Sequence, residues 1–341
     1  MKIKLKPINK QVVVVFGASS GIGRLAALEF GRKGAKVVVS ARSEEGLKSL
    51  VAEIEVDGGE AFYVVADAAD FEQVKSVAKQ TVEKFGRLDT WVHSAAAFIF
   101  GTFEQTAPEE FERLLKVNLL GQIYGAKAAL PYLRNNGGAL IHLSSVEARR
   151  AVPFQSAYGA SKHGINGFLQ VLRVELEHDR IPVSVTEVLI AAVNTPIYDK
   201  GRNKMSFKPR PVPPIYHPQI VVNAIIYAAE NPVAQLIAGG AGVGVVLAER
   251  FSPRFAEWMA NKVGFVGQTT DEKAPEDSFG NLFEPVRNFD TVEGRFSNEQ
   301  LMSDPVTWLA THPTEKTALL ITGGILGGLL AWRLLRKNKE Q

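Results

Sequence analysis

A run of five apolar residues, Val12 to Phe16, leads directly into the glycine-rich turn Gly17-Ala18-Ser19-Ser20-Gly21-Ile22-Gly23. The continuous β-branched run predicts a strand buried on both faces of a parallel sheet, and the residues after the turn predict a helix. In this order, glycines let the backbone approach a pyrophosphate, which the helix N–H groups and the positive end of the helix dipole attract. Any tight strand-to-helix turn can use such glycines, but the flanking elements favour a dinucleotide site.

Strands and helices continue to alternate through the first two thirds of the chain. Further apolar strands are predicted at residues 36–40, 61–66, 88–94, 138–144 and 183–189, with helices between them. This order predicts an α/β fold with a doubly wound parallel sheet, a Rossmann fold, in a single catalytic domain over residues 1–240. Ligands of such sheets bind at the carboxyl ends of the strands, where the glycine turn also lies.

Composition narrows the classes of function. With 341 residues, 46% of them hydrophobic, the chain can bury a large core, and a net charge of +3 gives no overall field that would favour nucleic acid. The chain has no Cys, which excludes disulfides, thiolate metal sites and Cys nucleophiles, and we expect no metal. No apolar stretch precedes the first strand, so we expect no secretory signal and residence on the cytosolic side.

Three polar residues near the strand at 138–144 have spacings that indicate proton chemistry. Ser145 follows this strand, and Tyr158 and Lys162 lie four residues apart, which places them on one face of a helix. An ammonium beside a phenol favours the phenolate, so we expect the Tyr158 pKa to fall from about 10 toward neutrality. Such a phenol exchanges a proton with a carbonyl or alcohol oxygen, to which Ser145 can donate a hydrogen bond. The pattern predicts carbonyl reduction or alcohol oxidation, although this Tyr-Lys spacing also occurs on ordinary amphipathic helices.

The end of the second strand bears on the choice of cofactor. Folds that bind NAD usually carry an acidic residue here for the ribose 2′-hydroxyl, whereas an Arg suits a 2′-phosphate. This chain has Arg42 and no acid at that point, so we predict NADP, with a solvated residue at a helix start as the alternative for Arg42. Asp67, after the third strand, either receives the adenine amino group or caps the helix that begins near Asp70.

With these motifs in this order, the chain resembles a short-chain dehydrogenase/reductase of the shorter, NADP-binding form, over about residues 10–240. The resemblance implies a homo-oligomeric NADP-dependent oxidoreductase in which the glycines cradle the cofactor phosphates and Thr195 contacts the nicotinamide carboxamide. The cofactor-binding set that it implies is Gly17, Ser19, Ser20, Gly21, Ile22, Gly23, Arg42, Asp67, Tyr158, Lys162 and Thr195.

The resemblance also implies a catalytic set. Tyr158 is the acid/base, Ser145 orients the substrate oxygen, and Lys162 lowers the Tyr158 pKa and holds the nicotinamide ribose. Asn118 matches the family's helix Asn, which holds a water between Lys162 and solvent. The alternative for an Asn in the middle of a helix is a polar residue at a kink.

Two segments depart from the family pattern. The usual Asn-Asn-Ala-Gly after the fourth strand is replaced by His93-Ser94-Ala95-Ala96, where we expect altered packing, intact chemistry and a structural rather than catalytic role for His93. The usual Pro-Gly after the sixth strand is replaced by Ile190-Ala191, which we expect to change the loop on the nicotinamide side.

Substrate identity is expected to depend on residues 195–217, a segment long enough to form a lid. Its basic residues are Lys200, Arg202, Lys204, Lys208 and Arg210. They predict either a lid that meets an acidic group or an anionic lipid surface, or an ordinary solvated loop. With the apolar stretch 97–103 as the opposite wall, we expect a bulky hydrophobic carbonyl or alcohol, such as a lipid, retinoid or steroid-like compound.

The chain changes character beyond residue 240. We predict an appended helix at 241–266, an irregular arm or linker at 267–315, and a membrane-anchor helix with a basic tail at 316–341. The apolar stretch would span roughly 27 Å as a helix, slightly less than the hydrocarbon core of a bilayer. The alternative is an apolar helix docked on the body or on a partner subunit. The basic tail favours a cytosolic C-terminus, which conflicts with access to NADPH; we expect membrane association with the catalytic domain facing the cytosol.

Two functions of different classes are therefore open. The first is an NADP-dependent, membrane-associated oxidoreductase that interconverts a hydrophobic carbonyl and its alcohol, with Tyr158 as acid/base. The second is a non-catalytic dinucleotide-binding scaffold that recruits partners or lipids through its C-terminal extension. The complete set of Ser145, Tyr158, Lys162 and Asn118 favours the enzyme.

Overall fold

The chain folds around a seven-stranded parallel sheet with helices on both faces. The computed structural model describes residues 3–275, 278–315 and 317, and it confirms the α/β, doubly wound fold. The strands are β1 Val12–Phe16, β2 Lys36–Ala41, β3 Glu60–Val65, β4 Thr90–His93, β5 Ile99–Phe100, β6 Gly138–Leu143, β7 Val183–Ile190, β8 Arg202–Asn203, β9 Ile215–Tyr216, β10 Gln235–Ala238 and β11 Gln300–Leu301. The helices are α1 Gly21–Arg32, α2 Glu44–Val56, α3 Phe71–Phe85, α4 Pro108–Leu115, α5 Gly121–Leu133, α6 Ser156–His178, α7 Ile197–Lys200, α8 Pro218–Glu230, α9 Ala241–Phe251, α10 Pro253–Gly267 and α11 Pro305–Thr311.

The strand order of the main sheet is β10-β7-β6-β4-β1-β2-β3. The chain therefore starts at β1, moves outward to β3, returns to β4 and continues in the opposite direction. Val15 pairs with Val39 of β2 and with Val92 of β4, all in parallel register. The turns that leave β1 and β4 consequently open at the same edge of the sheet, on the two sides of the switch point where doubly wound folds bind ligands.

The central strand β1 shows why its sequence is apolar without alternation. Val13 and Val15 pack into the core on one face of the sheet, while Val14 and Phe16 pack into the core on the other. All four side chains are at most 1% exposed. At about 1.5–3 kcal/mol for each large apolar side chain that is fully buried, a strand covered on both faces contributes from every residue.

The long helical region at 108–133 is interrupted by a π-helical turn, Lys116–Leu120, between α4 and α5. The N–H of Gly121 bonds to the carbonyl of Lys116, five residues before it, instead of the usual four. A Cβ atom at Gly121 would lie 3.0 Å from the Cβ of Ala68 and 3.0 Å from its carbonyl oxygen, so the glycine lets the helix approach the end of β3. Such π turns widen a helix locally and expose backbone groups, frequently at functional sites.

The C-terminal region differs in detail from the sequence prediction. The stretch predicted as one helix at 241–266 forms two, α9 and α10, because Pro253 lacks the N–H that would continue α9 and starts a new helix instead. The arm at 267–315 includes the short strand β11, which pairs with β9, and the helix α11. The predicted membrane-anchor helix at 316–341 lies outside the described residues, apart from Thr317. Among the residues that the structure describes, no helix combines the length and the apolarity needed to cross a membrane.

Candidate active site

Two joined cavities lie at the carboxyl ends of the central strands. The first, of about 160 Å³, is lined by the glycine turn after β1, by Arg42 and Asp67, and by part of the arm; we call it the glycine-turn cavity. The second, of about 470 Å³, is lined by Ser145, Tyr158 and Lys162; we call it the tyrosine cavity. The residues that line both cavities are Ile22, Ser94, Ala96, Thr195 and Ile197. A ligand that passes these shared residues therefore reaches from the glycine turn to the tyrosine.

Ser145 is fixed by the turn that follows β6. The backbone N–H of Glu147 donates a hydrogen bond to Ser145 Oγ at 3.1 Å, and this Oγ lies 3.5 Å from the carbonyl oxygen of Ile190 on β7. Tyr158 comes from the first turn of α6, and the ring of Phe98 meets its ring edge-on, with centroids 5.4 Å apart. The structure thus brings Ser145 and Tyr158, which are thirteen positions apart in the sequence, into the same cavity.

Lys162 lies one helical turn beyond Tyr158, as the four-residue spacing predicts. Its Nζ donates to the carbonyl oxygen of Leu143 at 3.0 Å and lies 5.2 Å from the centroid of the Tyr158 ring. Burial lowers the pKa of Lys162 to about 8, while the carboxyls of Glu147 and Glu187 act in the opposite direction. Below this pH the side chain carries its charge beside the phenol.

The expected lowering of the Tyr158 pKa is wrong as a net effect. Burial raises the pKa of Tyr158 well above its usual value, and the nearby Glu147 and Tyr198 raise it further, whereas a hydrogen bond with Ser145 lowers it. The loss of hydration disfavours the phenolate more than its neighbours favour it. Tyr158 is therefore a protonated phenol at neutral pH, the state that donates a proton.

Asn118 lies in the π turn and is fully buried. Its Oδ1 accepts from the backbone N–H of Ala97 at 2.7 Å, and its Nδ2 donates to the carbonyl of Ala97 at 2.9 Å. The side chain therefore fastens the segment after β4 to the α4–α5 region, and it acts as a positioning residue. A role in holding a water beside Lys162 stays a prediction.

The departure at 93–96 changes packing at the base of the site. His93 is fully buried in the sheet and stacks on Phe16 with ring centroids 5.1 Å apart and an angle of 8° between the planes. Burial lowers the pKa of His93 well below its usual value, so the ring is neutral. His93 lines neither cavity, which agrees with the structural role that we expected for it.

The glycine turn has the form of an anion-binding site. A Cβ atom at Gly17 would lie 2.3 Å from the backbone nitrogen of Ala95, and Gly17 has a φ of +90°, so only glycine fits between β1 and the segment after β4. In the described part of the chain, the N–H groups of Ile22 and Gly23 have no hydrogen-bond acceptor. Free N–H groups at the start of α1 suit a phosphate, so these residues fit a dinucleotide.

Part of the arm lies against the outer end of the glycine-turn cavity. Asn281, Phe289 and Asp290 are among the arm residues that line it, and we call residues 281–300 the crossing segment. The guanidinium of Arg42 donates to the carbonyls of Asn281 at 2.5 Å and Phe283 at 2.7 Å, and the N–H of Gly21 donates to the carbonyl of Thr291 at 2.8 Å. The crossing segment thus binds two groups that the sequence predicted for the cofactor.

Asp67 is held by a second arginine. Its Oδ2 accepts from Arg113 at 2.6 Å and its Oδ1 from the N–H of Ala69 at 2.9 Å. The N-cap of α3 is Asp70, whose carboxylate accepts from the N–H of Gln73, so the capping alternative for Asp67 is wrong. Asp67 still lines the glycine-turn cavity.

The basic residues of 195–217 meet acids of the same chain. Glu110 accepts from Arg202 at 3.0 Å and from Lys204 at 2.5 Å. Lys208 pairs with Glu272 at 2.9 Å and Arg210 pairs with Glu299 at 2.5 Å. Neither a free basic lid nor a plain solvated loop describes this segment, because internal ion pairs fasten it to α4 and to the arm.

Lys200 is the exception among these basic residues. Its Nζ donates to the hydroxyl of Ser20 in the glycine turn, and burial lowers its pKa to about 8, with Asp290 of the crossing segment acting in the opposite direction. No sequence pattern places Lys200, or any residue of the arm, beside the glycine turn. Spacing in a segment without periodicity carries no information on where it docks.

The walls of the tyrosine cavity are mostly apolar, and the region beyond residue 240 forms part of them. Val245 of α9, and Met259 and Val263 of α10, line the cavity. Polar side chains gather near Tyr158, and Glu147 and Gln155 are among them. The cavity therefore suits a bulky apolar molecule with a polar end.

Comparison with known proteins now identifies the family. The family model described as short chain dehydrogenase matches residues 11–206, which include the glycine turn, Ser145, Tyr158 and Lys162. This chain is a short-chain dehydrogenase/reductase. An uncharacterized oxidoreductase of Bacillus subtilis, YxnA, is 31% identical to it over 339 residues, which cover 98% of this chain and 93% of that protein. The dehydrogenase is therefore an oxidoreductase that binds a nicotinamide dinucleotide.

Several relatives of this dehydrogenase have named substrates or ligands. Versicolorin reductase stcU of Emericella nidulans is 33% identical over 56% of this chain and 72% of its own length. A variant of actinorhodin polyketide ketoreductase, solved with NADPH, superposes with a TM-score of 0.60 at 26% identity and covers 69% of this chain and 97% of that one. An alcohol dehydrogenase of Thermococcus sibiricus with 5-hydroxy-NADP gives a TM-score of 0.59 at 27% identity over 67% of this chain and 95% of that one.

Proposed function

We propose that this dehydrogenase interconverts a ketone and its secondary alcohol on a bulky hydrophobic substrate, with NADP(H) as the redox partner. The observation that carries the proposal is the position of Ser145, Tyr158 and Lys162 in a largely apolar cavity that joins the glycine-turn cavity. The nicotinamide cofactor, when bound, supplies or accepts the hydride. Versicolorin reductase and the polyketide ketoreductase are relatives whose names support a carbonyl substrate.

Residues of this chain supply the proton that the substrate oxygen takes up during reduction. Tyr158, which desolvation keeps protonated, gives its phenolic proton to the carbonyl oxygen as the carbonyl is reduced to the alcohol. The Ser145 hydroxyl donates to the same oxygen, which stabilises the charge that develops there. Lys162, held by the carbonyl of Leu143, places a positive charge beside the phenolate that remains.

NADP rather than NAD is supported by the end of β2. Arg42 lines the glycine-turn cavity, and Ser43 rather than an acid follows it. A guanidinium matches a 2′-phosphate, whereas the ribose 2′-hydroxyl of NAD is usually met by a carboxylate at this place.

The test is NADPH oxidation by the full chain in detergent, over a panel of aryl and alicyclic ketones of increasing size. We expect turnover to rise with substrate hydrophobicity, to require NADPH rather than NADH, and to disappear in Tyr158→Phe. Binding of NADPH to that variant, followed by the enhancement of its fluorescence, should persist. Turnover that survives Tyr158→Phe would contradict the assignment, and cofactor binding without turnover on any ketone would favour the scaffold.

We further propose that the protein is attached to a membrane with its catalytic domain facing the cytosol. Residues 318–332 contain no charged residue and precede a basic tail. Phe251, Trp258 and Val266 on α9 and α10 are 78%, 56% and 73% exposed, an apolar surface of the kind that lies against lipid or a partner. Deletion of residues 316–341 should move the protein from the membrane to the soluble fraction, and unchanged partition would contradict this proposal.

We also propose a homo-oligomer. Val171 and Val174 are 57% and 68% exposed on α6, the helix whose first turns carry Tyr158 and Lys162. Light scattering after size exclusion should give a multiple of the chain mass, and Val174→Asp should reduce it. A monomer at micromolar concentration would contradict the proposal.

A further inference from the structure

Glu147 is a buried acid in the wall of the tyrosine cavity that the chemistry described above does not use. It lies two residues after Ser145, in the 3₁₀ turn Val146–Ala148, and its own N–H donates to Ser145 Oγ at 3.1 Å. The turn that fixes the catalytic serine therefore also fixes Glu147. The residue is 9% exposed and lines the cavity together with Tyr158.

The carboxyl of Glu147 is only partly satisfied by the protein. The N–H of Val152 donates to it, but within the described residues its Oε2 has no hydrogen-bond partner although the atom is buried. A buried oxygen without a partner costs free energy, and a ligand that supplies the missing hydrogen bond recovers it. Among the described residues, Glu147 is thus an acid in a cavity wall with one oxygen left for a ligand to bond.

Two other residues in the cavity wall also have a buried polar atom that makes no hydrogen bond to any described residue. In the part of the chain that the structure describes, Gln155 Oε1 and Arg150 Nε are also buried without a partner, and both residues line the same cavity. Apolar residues, among them Val146, Val152 and Val245, form most of the cavity surface. A few polar groups in a mostly apolar cavity are the pattern of a site that orients a mostly apolar ligand.

The charged and titratable groups around Glu147 come from four elements. Tyr158 and Lys162 lie on α6 and Tyr198 on α7. Glu187 of β7 is paired with Arg149, and Glu249 of α9 with Arg150. Burial dominates over the attraction of the Lys162 ammonium and raises the pKa of Glu147 to about 8. At neutral pH the group is mostly a carboxylic acid, which can donate one hydrogen bond and accept others.

We propose that Glu147 is a specificity-determining residue that hydrogen-bonds a second oxygen of the substrate, so that preferred substrates are ketones with an ether, hydroxyl or carbonyl oxygen close to the reacting carbonyl. The inference rests on the proposed ketone reduction and names its substrate class. A site with a buried polar group discriminates strongly against an analogue that lacks the matching oxygen, because the group is then left unpaired.

The test compares three ketones with the same carbon framework: deoxybenzoin, which has no second oxygen, benzoin methyl ether, whose second oxygen only accepts, and benzoin. For the wild type we expect kcat/KM to favour benzoin methyl ether over deoxybenzoin by roughly tenfold, the effect of one hydrogen bond. Glu147→Leu should bring this ratio close to one, and Glu147→Gln, whose amide still donates, should retain most of it. Because the ratio compares two substrates of one variant, a general loss of activity cancels.

The pH dependence of the same ratio separates a donor from a structural residue. As pH rises through about 8, Glu147 loses the proton that it donates, so the wild-type preference for the ether should fall. In Glu147→Gln the ratio should stay flat with pH. Ionisation of Tyr158 and Lys162 affects both ketones and leaves the ratio unchanged.

The outcomes distinguish this inference from the proposed function. Calorimetric binding of the three ketones to the Tyr158→Phe variant with NADP should show the same preference without turnover. If the ketones bind with this preference but wild type gives no Tyr158-dependent turnover, the proposed function fails, and only the hydrogen bond between Glu147 and the second oxygen of the ligand is supported. If turnover depends on Tyr158 but the ratio is near one in wild type, or is unchanged in Glu147→Leu, the inference is overturned.

Discussion

The two joined cavities each contain a lysine with a pKa lowered to about 8 by burial, yet they are built in opposite ways. Lys162 of the tyrosine cavity is held by the carbonyl of Leu143, and both residues lie within the segment that matches the family model. Lys200 of the glycine-turn cavity donates to Ser20 and lies near Asp290, which belongs to the arm outside that segment. The proton-transfer groups Ser145, Tyr158 and Lys162 thus all lie within the family core, whereas the outer end of the cofactor site is shared with a later part of the chain.

An extension can therefore meet the cofactor site while the proton-transfer groups stay in the family core. The crossing segment binds Arg42 and the N–H of Gly21, and a Cβ atom at Gly46 would lie 2.4 Å from Asp290 Oδ1. It is fastened on the far side by Asn194, whose Oδ1 accepts from the N–H of Phe296 at 3.1 Å. Arg42, which meets the 2′-phosphate in our proposal, therefore already donates hydrogen bonds to carbonyls of the crossing segment.

Substitutions of Lys162 and Lys200 should have the largest and most different effects, one on catalysis in the tyrosine cavity and the other on cofactor binding in the glycine-turn cavity. Lys162→Met should lower kcat by roughly 10²–10⁴, the range for loss of assisted proton transfer, because the phenolate then lacks a neighbouring charge. Lys200→Met should leave kcat at saturating NADPH within about threefold and raise the KM for NADPH, because it acts on binding only. Steady-state kinetics at several NADPH concentrations measure both. Equal losses of kcat in the two variants would show that Lys200 also acts on the chemical step, which contradicts this distinction.

Arg42→Gln tests whether the two roles of this arginine compete. It should raise the KM for NADPH by roughly 10- to 100-fold, as expected for hydrogen bonds of a charged group at about 1.5–3 kcal/mol, and leave the KM for NADH nearly unchanged. Because Arg42 also binds the carbonyls of Asn281 and Phe283, hydrogen exchange of the crossing segment should become faster. Faster exchange with unaltered NADPH binding would show that Arg42 serves the arm alone.

The pH dependence of reduction reports on the tyrosine cavity. Lys162 is charged below its pKa of about 8 and neutral above it, so kcat for ketone reduction should fall as pH rises through about 8. The carboxylate of Glu147 raises the pKa of Lys162, so Glu147→Gln should move this alkaline limb to lower pH. A kcat profile from mildly acidic to alkaline pH measures the shift. If the alkaline limb lies at the same pH in Glu147→Gln and in wild type, Glu147 does not affect the pKa of Lys162.

Asp290→Asn should have the smallest effect. Asp290 lines the glycine-turn cavity beside Gly46, so its charge opposes a phosphate there, and its removal should tighten NADPH binding. Since Asp290 is partly exposed and screened, we expect a gain of a few fold for NADPH and none for NADH, measured by fluorescence titration. Weaker binding of NADPH would instead show that Asp290 holds Lys200 in place for the cofactor.

The fold and the catalytic residues followed from local patterns. The apolar run of β1, the glycine turn and the alternation of strands and helices predicted the parallel sheet, because each pattern reflects burial or backbone geometry within a few residues. Ser145, Tyr158 and Lys162 came together because the carboxyl ends of parallel strands share one edge and a four-residue spacing shares one helix face.

Other features required the tertiary structure. The protonated states of Tyr158 and Glu147 depend on burial by residues far along the chain, which spacing cannot reveal. The crossing segment has no periodicity, and its position is fixed by hydrogen bonds to Arg42, Gly21 and Asn194 rather than by its own propensity. Local sequence patterns are thus enough to predict the sheet, the glycine turn and the proton-transfer groups. The charge states of these groups, the walls of the tyrosine cavity and the contacts of the arm at the cofactor site depend on the folded chain, because desolvation and docking are set by everything that packs against each group.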